Sequence, residues 1–229
     1  MGRAILSGNP PISLSLRRSA RARRISLRIS RSTGRVTLTM PTHVPDSEAL
    51  DFAREKENWL RGHLSQIGGE SVLTFGTRML WRGQSLDIVP GQGRKIVVSD
   101  GAIHVPGEAE QIGARLQAYA KAQARDALAA ASDRYAAQLG RSYSKLTLRD
   151  TRSRWGSCNS RGELMYSWRL ILAPDEVLDY VAAHEVAHLA EMNHSPAFWS
   201  VVERLCPDYV RHRGWLKSQG HLLHQTRFG

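Results

Sequence analysis

The sequence predicts an α+β protein in two parts: a β-rich region over residues 1–107 carrying one helix, and a region over 108–229 in which helices pack on a small mixed sheet. Three observations support this. Up to residue 105, apolar residues alternate with polar ones in short runs separated by glycine, the period of half-buried strands. Beyond it they recur at helical spacing. Pro106-Gly107 lies between the two patterns and is taken as the boundary. A chain of 229 residues with 41% hydrophobic and 23% charged side chains can hold one large or two small domains, and disorder, collagen and coiled coil are excluded.

The elements follow in order. Ile25–Ile29 and Val36–Met40 alternate around Ser32-Thr33-Gly34, a hairpin pattern with glycine supplying a positive φ. Pro45-Asp46 opens a helix with Asp46 as N-cap, striped by Leu50, Ala53, Trp59, Leu60 and Leu64 and ended by Gly68-Gly69. Short strands are expected at 72–75, 79–81, 86–89, 96–98 and 103–105. A long alanine-rich helix runs from about 108 to Leu139 and ends at Gly140. Strands are expected at 145–149 and 164–172, with Gly156 and Gly162 in the loop between, and Pro174-Asp175 opens the next helix.

Charge and cysteine content narrow the function classes. Lys plus Arg is 32 against 21 acidic residues, a net charge of +11. Residues 1–45 contain nine arginines and no acid, a field that attracts polyanions or a solvated strand face. A nucleic-acid-binding module working through this basic hairpin is therefore an alternative, although it leaves the histidine motif below unexplained. No apolar run approaches the ~18 residues of a membrane span, so no membrane partner is expected. Two cysteines, Cys158 and Cys206, cannot build a disulfide framework, and the reducing cytoplasm is the expected compartment. Cys158 has no local support as a nucleophile. The oligomeric state is not legible in the sequence.

The decisive pattern is His184-Glu185-Val186-Ala187-His188. Two histidines four residues apart advance about 400° on a helix, so both imidazoles point the same way and can reach one metal ion. Glu185, beside the first, is placed to take a proton from a water on that metal. A chain of this composition shows the pattern by chance only about 0.02 times. His194 lies six residues beyond His188, about 240° round a continuous helix, so the helix must stop for it to join them. Asn193 can take a left-handed C′ position, and Ser195-Pro196 supplies an N-cap and first position for a new helix. Three protein ligands with one open position is the arrangement of a catalytic zinc. Imidazole ligands also suit nickel, iron or cobalt.

At these residues the chain resembles the YgjP-like metallopeptidase family, related to the SprT-like and WLM zincins. The matching stretches are Arg152–Cys158, Ser167–Pro174 and the motif helix continuing through Asn193–Trp199, with the arginine-rich opening also similar. The resemblance implies a zincin-like catalytic domain with His184, His188 and His194 as ligands and Glu185 as base. It implies a metal-dependent hydrolase, with UTP pyrophosphatase activity in one branch and peptide cleavage suggested by the family's name.

Residues around the motif bear on the substrate. Arg149, Arg152, Arg154, Arg161 and Arg169 crowd the segment before the motif helix, and guanidinium forks match phosphate oxygens. Trp155, Tyr166 and Trp168 can stack a base. On that basis Arg152, Arg154, Trp155, Tyr166 and Arg169 are the expected substrate-binding residues, and a nucleoside triphosphate is preferred over a peptide. The alternative is that the tryptophans are core and that Arg152 or Arg154 pairs with Asp150 or Glu163. A peptide could instead add as a strand to the edge at 164–172.

Overall fold

The computed structural model describes residues 2–30, 34–66 and 71–228. The chain divides into two compact units, Met1–Glu70 and Ser71–Gly229.

In the first unit, β1 (Gly2–Leu6), β2 (Ile12–Arg18), β3 (Ser26–Ile29) and β4 (Val36–Met40) form one sheet in the order β1-β2-β4-β3. The expected hairpin is present: β3 and β4 pair antiparallel with Ser26 opposite Thr39 and Ile29 opposite Val36. Gly34 has φ 65°, while Ser32-Thr33 lies outside the described residues. Strand alternation turns Ile12, Leu14, Leu16, Val36, Leu38 and Met40 to one face, where they are buried with Ala49, Ala53 and Leu60. Those three come from α1 (Asp46–Glu55) and α2 (Glu57–Gln66). The single helix expected here is thus two, divided at Lys56 (φ −92°, ψ 11°). Asp46 is not the N-cap; Pro45 holds that place, and the Asp46 carboxylate accepts a hydrogen bond from Arg18 Nη2 at 2.6 Å. Gly68-Gly69 lies outside the described residues.

The second unit opens with β5 (Ser71–Val72), then β6 (Arg78–Trp81), β7 (Gln84–Pro90), β8 (Val97–Ser99) and β9 (Ala102–Val105), the last four in the order β6-β7-β9-β8. Both tight turns of this sheet have two successive positive φ values, at Arg82-Gly83 and Asp100-Gly101, which matches the right-handed strand twist. A 28-residue helix follows, α3 (Ile112–Leu139), closed by Gly140 in the left-handed conformation. Its buried stripe Ile112, Leu116, Ala120, Ala124, Leu128, Ala131, Tyr135 keeps helical spacing, and its alanines let neighbours approach closely.

A three-stranded sheet is built from β10 (Lys145–Arg149), β11 (Gly156–Cys158) and β12 (Glu163–Ser167), in the order β10-β12-β11. Next come α4 (Asp175–Ala187), α5 (Pro196–Leu205) and α6 (Tyr209–Gln219). The chain finishes in β13 (Thr226–Arg227), which pairs parallel with β5.

Three expectations are corrected. The division falls at residue 70 rather than 107, because the strands over 71–105 share one core with the C-terminal region: Trp81, Ile88, Ile103 and Val105 cluster with Ile112, Leu116 and Leu170. Pro106-Gly107 marks a turn, but the apolar face of that sheet has to be covered and is covered in this unit. The strand expected over 164–172 stops at Ser167, and 168–172 is a 3-10 turn buried throughout. Gly156, expected in a loop, lies in β11. No helix among the described residues is long and apolar enough to cross a membrane.

Candidate metal centre

Helix α4 carries the motif and is apolar almost all round: Val177, Leu178, Val181, Ala182, Ala183, Val186 and Ala187 are buried, so the helix is held in the core and its two histidines are fixed with it. The helix ends at Ala187, with His188 still in helical conformation as its C-cap. The chain turns over 188–195 without the left-handed Asn193 expected there; no such φ occurs at that residue. Ser195 caps α5, its hydroxyl accepting from the Phe198 N–H at 3.3 Å, with Pro196 at the first position as expected.

This turn brings His194 to the motif. The nearest ring nitrogens of His184, His188 and His194 all lie within 4.8 Å of one another, and the Nε2 atoms of His184 and His194 are 3.1 Å apart. Two ligand nitrogens on one tetrahedral zinc stand about 3.3 Å apart, so this spacing fits a shared cation. The Nδ1 of His188 is 3.0 Å from the Glu191 carbonyl. Donation there places the proton on Nδ1 and leaves Nε2 with a lone pair for a metal. His184 Nδ1 is buried with no partner among the described residues. Burial, then the neighbouring His188 and His194 and the Arg213 charge, push His184 down to about 3, and burial lowers His188 as well, so both rings are neutral, the ligand form. The three residues therefore fit a divalent metal.

Glu185 is 6% exposed and lies against β11. A Cβ at Gly156 would stand 2.5 Å from its Oε1 and 2.6 Å from its Cγ, so the carboxylate occupies the space a side chain at 156 would need. Burial raises the Glu185 carboxyl to about 8, against the Arg154 charge, which lowers it. Burial and the Glu185 charge raise the Cys158 thiol to about 11, which leaves it an unactivated thiol.

The aromatic rings around the histidines form a wall. Phe198 packs on His188 at 4.5 Å, and Trp199 lies 5.7 Å from His184 and 5.8 Å from His194. The Arg213 guanidinium sits 4.6 Å over Trp199. The sequence assigns no role to Gly156, which reads as a loop glycine, or to Arg213, and Trp199 enters it only as the end of a matching stretch.

The expected substrate residues separate into two groups. Arg152 and Arg154 are exposed, and neither has an ion-pair partner among the described residues. Arg169 and Tyr166 are buried in structural contacts, and Trp155 is half-buried. Arg169 is 8% exposed and grips Asp150 with both arms of its fork (Nε to Oδ1 2.7 Å, Nη2 to Oδ2 3.1 Å), while Nη1 donates to the carbonyls of Leu223 and Thr226. Tyr166 is fully buried, its hydroxyl 3.0 Å from Ser132 Oγ. Trp155 stacks on His224 at 5.0 Å and lies against Gly220. Trp168 is core, as the alternative had it. Glu163 pairs with Arg161 and Asp150 with Arg169, not with Arg152 or Arg154.

Arg169→Met is expected to destabilise the protein by about 2–3 kcal/mol, because Asp150 and two carbonyls lose a charged donor. The Tm should fall while kcat/KM of the folded fraction holds. A loss of kcat/KM at unchanged Tm would return Arg169 to the substrate.

Three imidazoles and a buried carboxylate, set in a mixed α+β unit, have the form of a metallohydrolase centre. The model of the YgjP-like metallopeptidase domain matches residues 23–219, and the chain belongs to that family. Membership makes it a metal-dependent hydrolase or peptidase that uses a divalent metal. Among solved structures, that of the metallopeptidase zymogen of Pyrococcus abyssi abylysin is similar over 40% of this chain and 95% of that chain, at 21% identity and a TM-score of 0.36. No curated protein sequence matches the chain.

Proposed function

We propose that the protein hydrolyses peptide bonds with His184, His188 and His194 holding one divalent cation, most suitably zinc, and Glu185 acting as general base on a zincin-like arrangement of α4 against the β10-β12-β11 sheet. The observation that carries this reading is the meeting of three imidazoles within 4.8 Å, beside a buried carboxylate. When bound, such a cation lowers the pKa of a water towards about 7 and polarises the acceptor oxygen. The charge of that cation would favour the ionised carboxylate that burial alone disfavours, and in that form Glu185 takes the proton of the attacking water and delivers it to the leaving amine. Gly156 lets its carboxylate lie close to the strand, and the Glu191 carbonyl orients His188. The substrate class is supported by β11, an edge strand of its sheet lying against Glu185, where an extended peptide can add by backbone pairing. Two free cysteines are in keeping with a reducing, cytoplasmic setting.

A second reading, cleavage of a nucleoside triphosphate such as UTP to UMP and pyrophosphate, is favoured by exposed Arg152 and Arg154, the latter acting on Glu185. It has lost the support of Arg169 and Tyr166, whose side chains are buried.

The test incubates the purified chain with casein and, separately, with UTP, before and after chelation and with zinc or nickel restored. Peptide release that stops with chelator and returns with metal is expected. Pyrophosphate release with no peptide release would replace the first reading by the second. Turnover indifferent to chelator would sink both.

A further inference from the structure

The arginine-rich N-terminal unit is not used by the hydrolase reading, and its sheet has two unlike faces. One face is the buried apolar set closed over by α1 and α2. The register defines the other. Arg3 on β1 stands opposite Ser15 on β2, Ser15 opposite Thr37 on β4, and Thr37 opposite Arg28 on β3. These four side chains form one row across the whole sheet on the side away from the core. The next row on that face is Arg17, Thr39 and Ser26. Neighbouring strands are about 4.8 Å apart, so Arg3 and Arg28 begin about 14 Å apart with two hydroxyls between them, and Arg17 begins about 7 Å along from that row.

Arg3, Arg17 and Arg28 are exposed, and among the described residues none of them is in an ion pair. Arg18, one residue on from Arg17 and on the opposite side of β2, is paired with Asp46. No acidic residue occurs before Asp46, so nothing on this face offsets its charge.

We infer that this outer face binds the phosphate backbone of a nucleic acid. Guanidinium forks interleaved with hydroxyls are the groups that donate to phosphate oxygens, and a row spread over four strands meets a regular array of them better than a single ion. The face carries no aromatic ring to stack a base, so binding is to the backbone, independent of sequence and strongly weakened by salt. An anionic lipid surface fits less well, because Ile5, at 69% exposure, is the one large apolar side chain offered there among the described residues. The inference does not depend on the substrate of the metal centre.

The test uses the full chain and fluorescence anisotropy with a labelled DNA duplex of about 20 base pairs and an RNA duplex of the same sequence, over a salt series. Arg3→Gln, Arg17→Gln and Arg28→Gln are combined in one variant. A second variant removes the same charge from α3, with Arg115→Gln, Lys121→Gln and Arg125→Gln. The first should weaken binding at least tenfold and flatten the slope of log Kd against log salt by about 2–3, while Tm and hydrolase activity hold. The second should bind as the wild type does. The DNA and RNA arms say which backbone is preferred. No binding to either duplex, equal loss in both variants, or arginine-dependent binding only to phosphatidylserine vesicles would each overturn the inference.

Discussion

Glu185→Gln is expected to cut kcat by about 10²–10⁴-fold while the protein retains its metal, its fold and a near-normal KM. Glutamine has the shape of glutamate and fits the same space beside Gly156, so nothing in the packing should change. What is lost is the oxygen that can take a proton. The measurement is kcat and KM on whichever substrate the wild type turns over, with metal content determined on the same sample. A variant with full metal and undiminished kcat would remove Glu185 from the mechanism. A variant without metal would show instead that the carboxylate is needed to assemble the site.

Gly156→Ala should be nearly as damaging by a different route. The added methyl would sit 2.5–2.7 Å from three atoms of the Glu185 side chain, where ordinary contact needs about 1 Å more. The strand is tied to β12 by backbone pairing, with Gly156 opposite Tyr166, so the Glu185 side chain is what has to move. A displacement of that size in a catalytic group costs about 10²-fold in rate. Stability should fall too, by about 1–3 kcal/mol, because the clash reaches Cγ of a buried side chain, although Gly156 itself has no positive φ to strain. Kinetics and thermal unfolding on one preparation check this. An unchanged kcat would mean that the position of the carboxylate is not constrained by this contact.

These two predictions rest on parts of the molecule that differ in legibility. The helix of the motif and the stop before His194 are local matters, governed by spacing, a serine cap and a proline, and they can be read along the chain. The placement of Glu185 against Gly156 joins residues 29 positions apart and leaves no local mark, since Gly156 reads as a loop glycine along the chain. The burial of Tyr166 is also local: two residues from Leu164 on one strand, it must share that residue's inward face. That of Arg169 is not. Its partners are Asp150 and the carbonyls of Leu223 and Thr226, the last two more than fifty residues away, and nothing near it marks it as buried. The domain boundary failed for a related reason. Turn residues show where a chain bends, but which surface a sheet will bury is decided by what packs on it, here α3 and its neighbours.

The pairing of β5 with β13 sets Ser71–Val72 alongside Thr226–Arg227. Entry to and exit from the larger unit therefore occur at one spot, as in a cassette with both leads on the same side. A unit closed in this way can be spliced into a host loop, or have its ends joined and be reopened elsewhere, without stretching its interior.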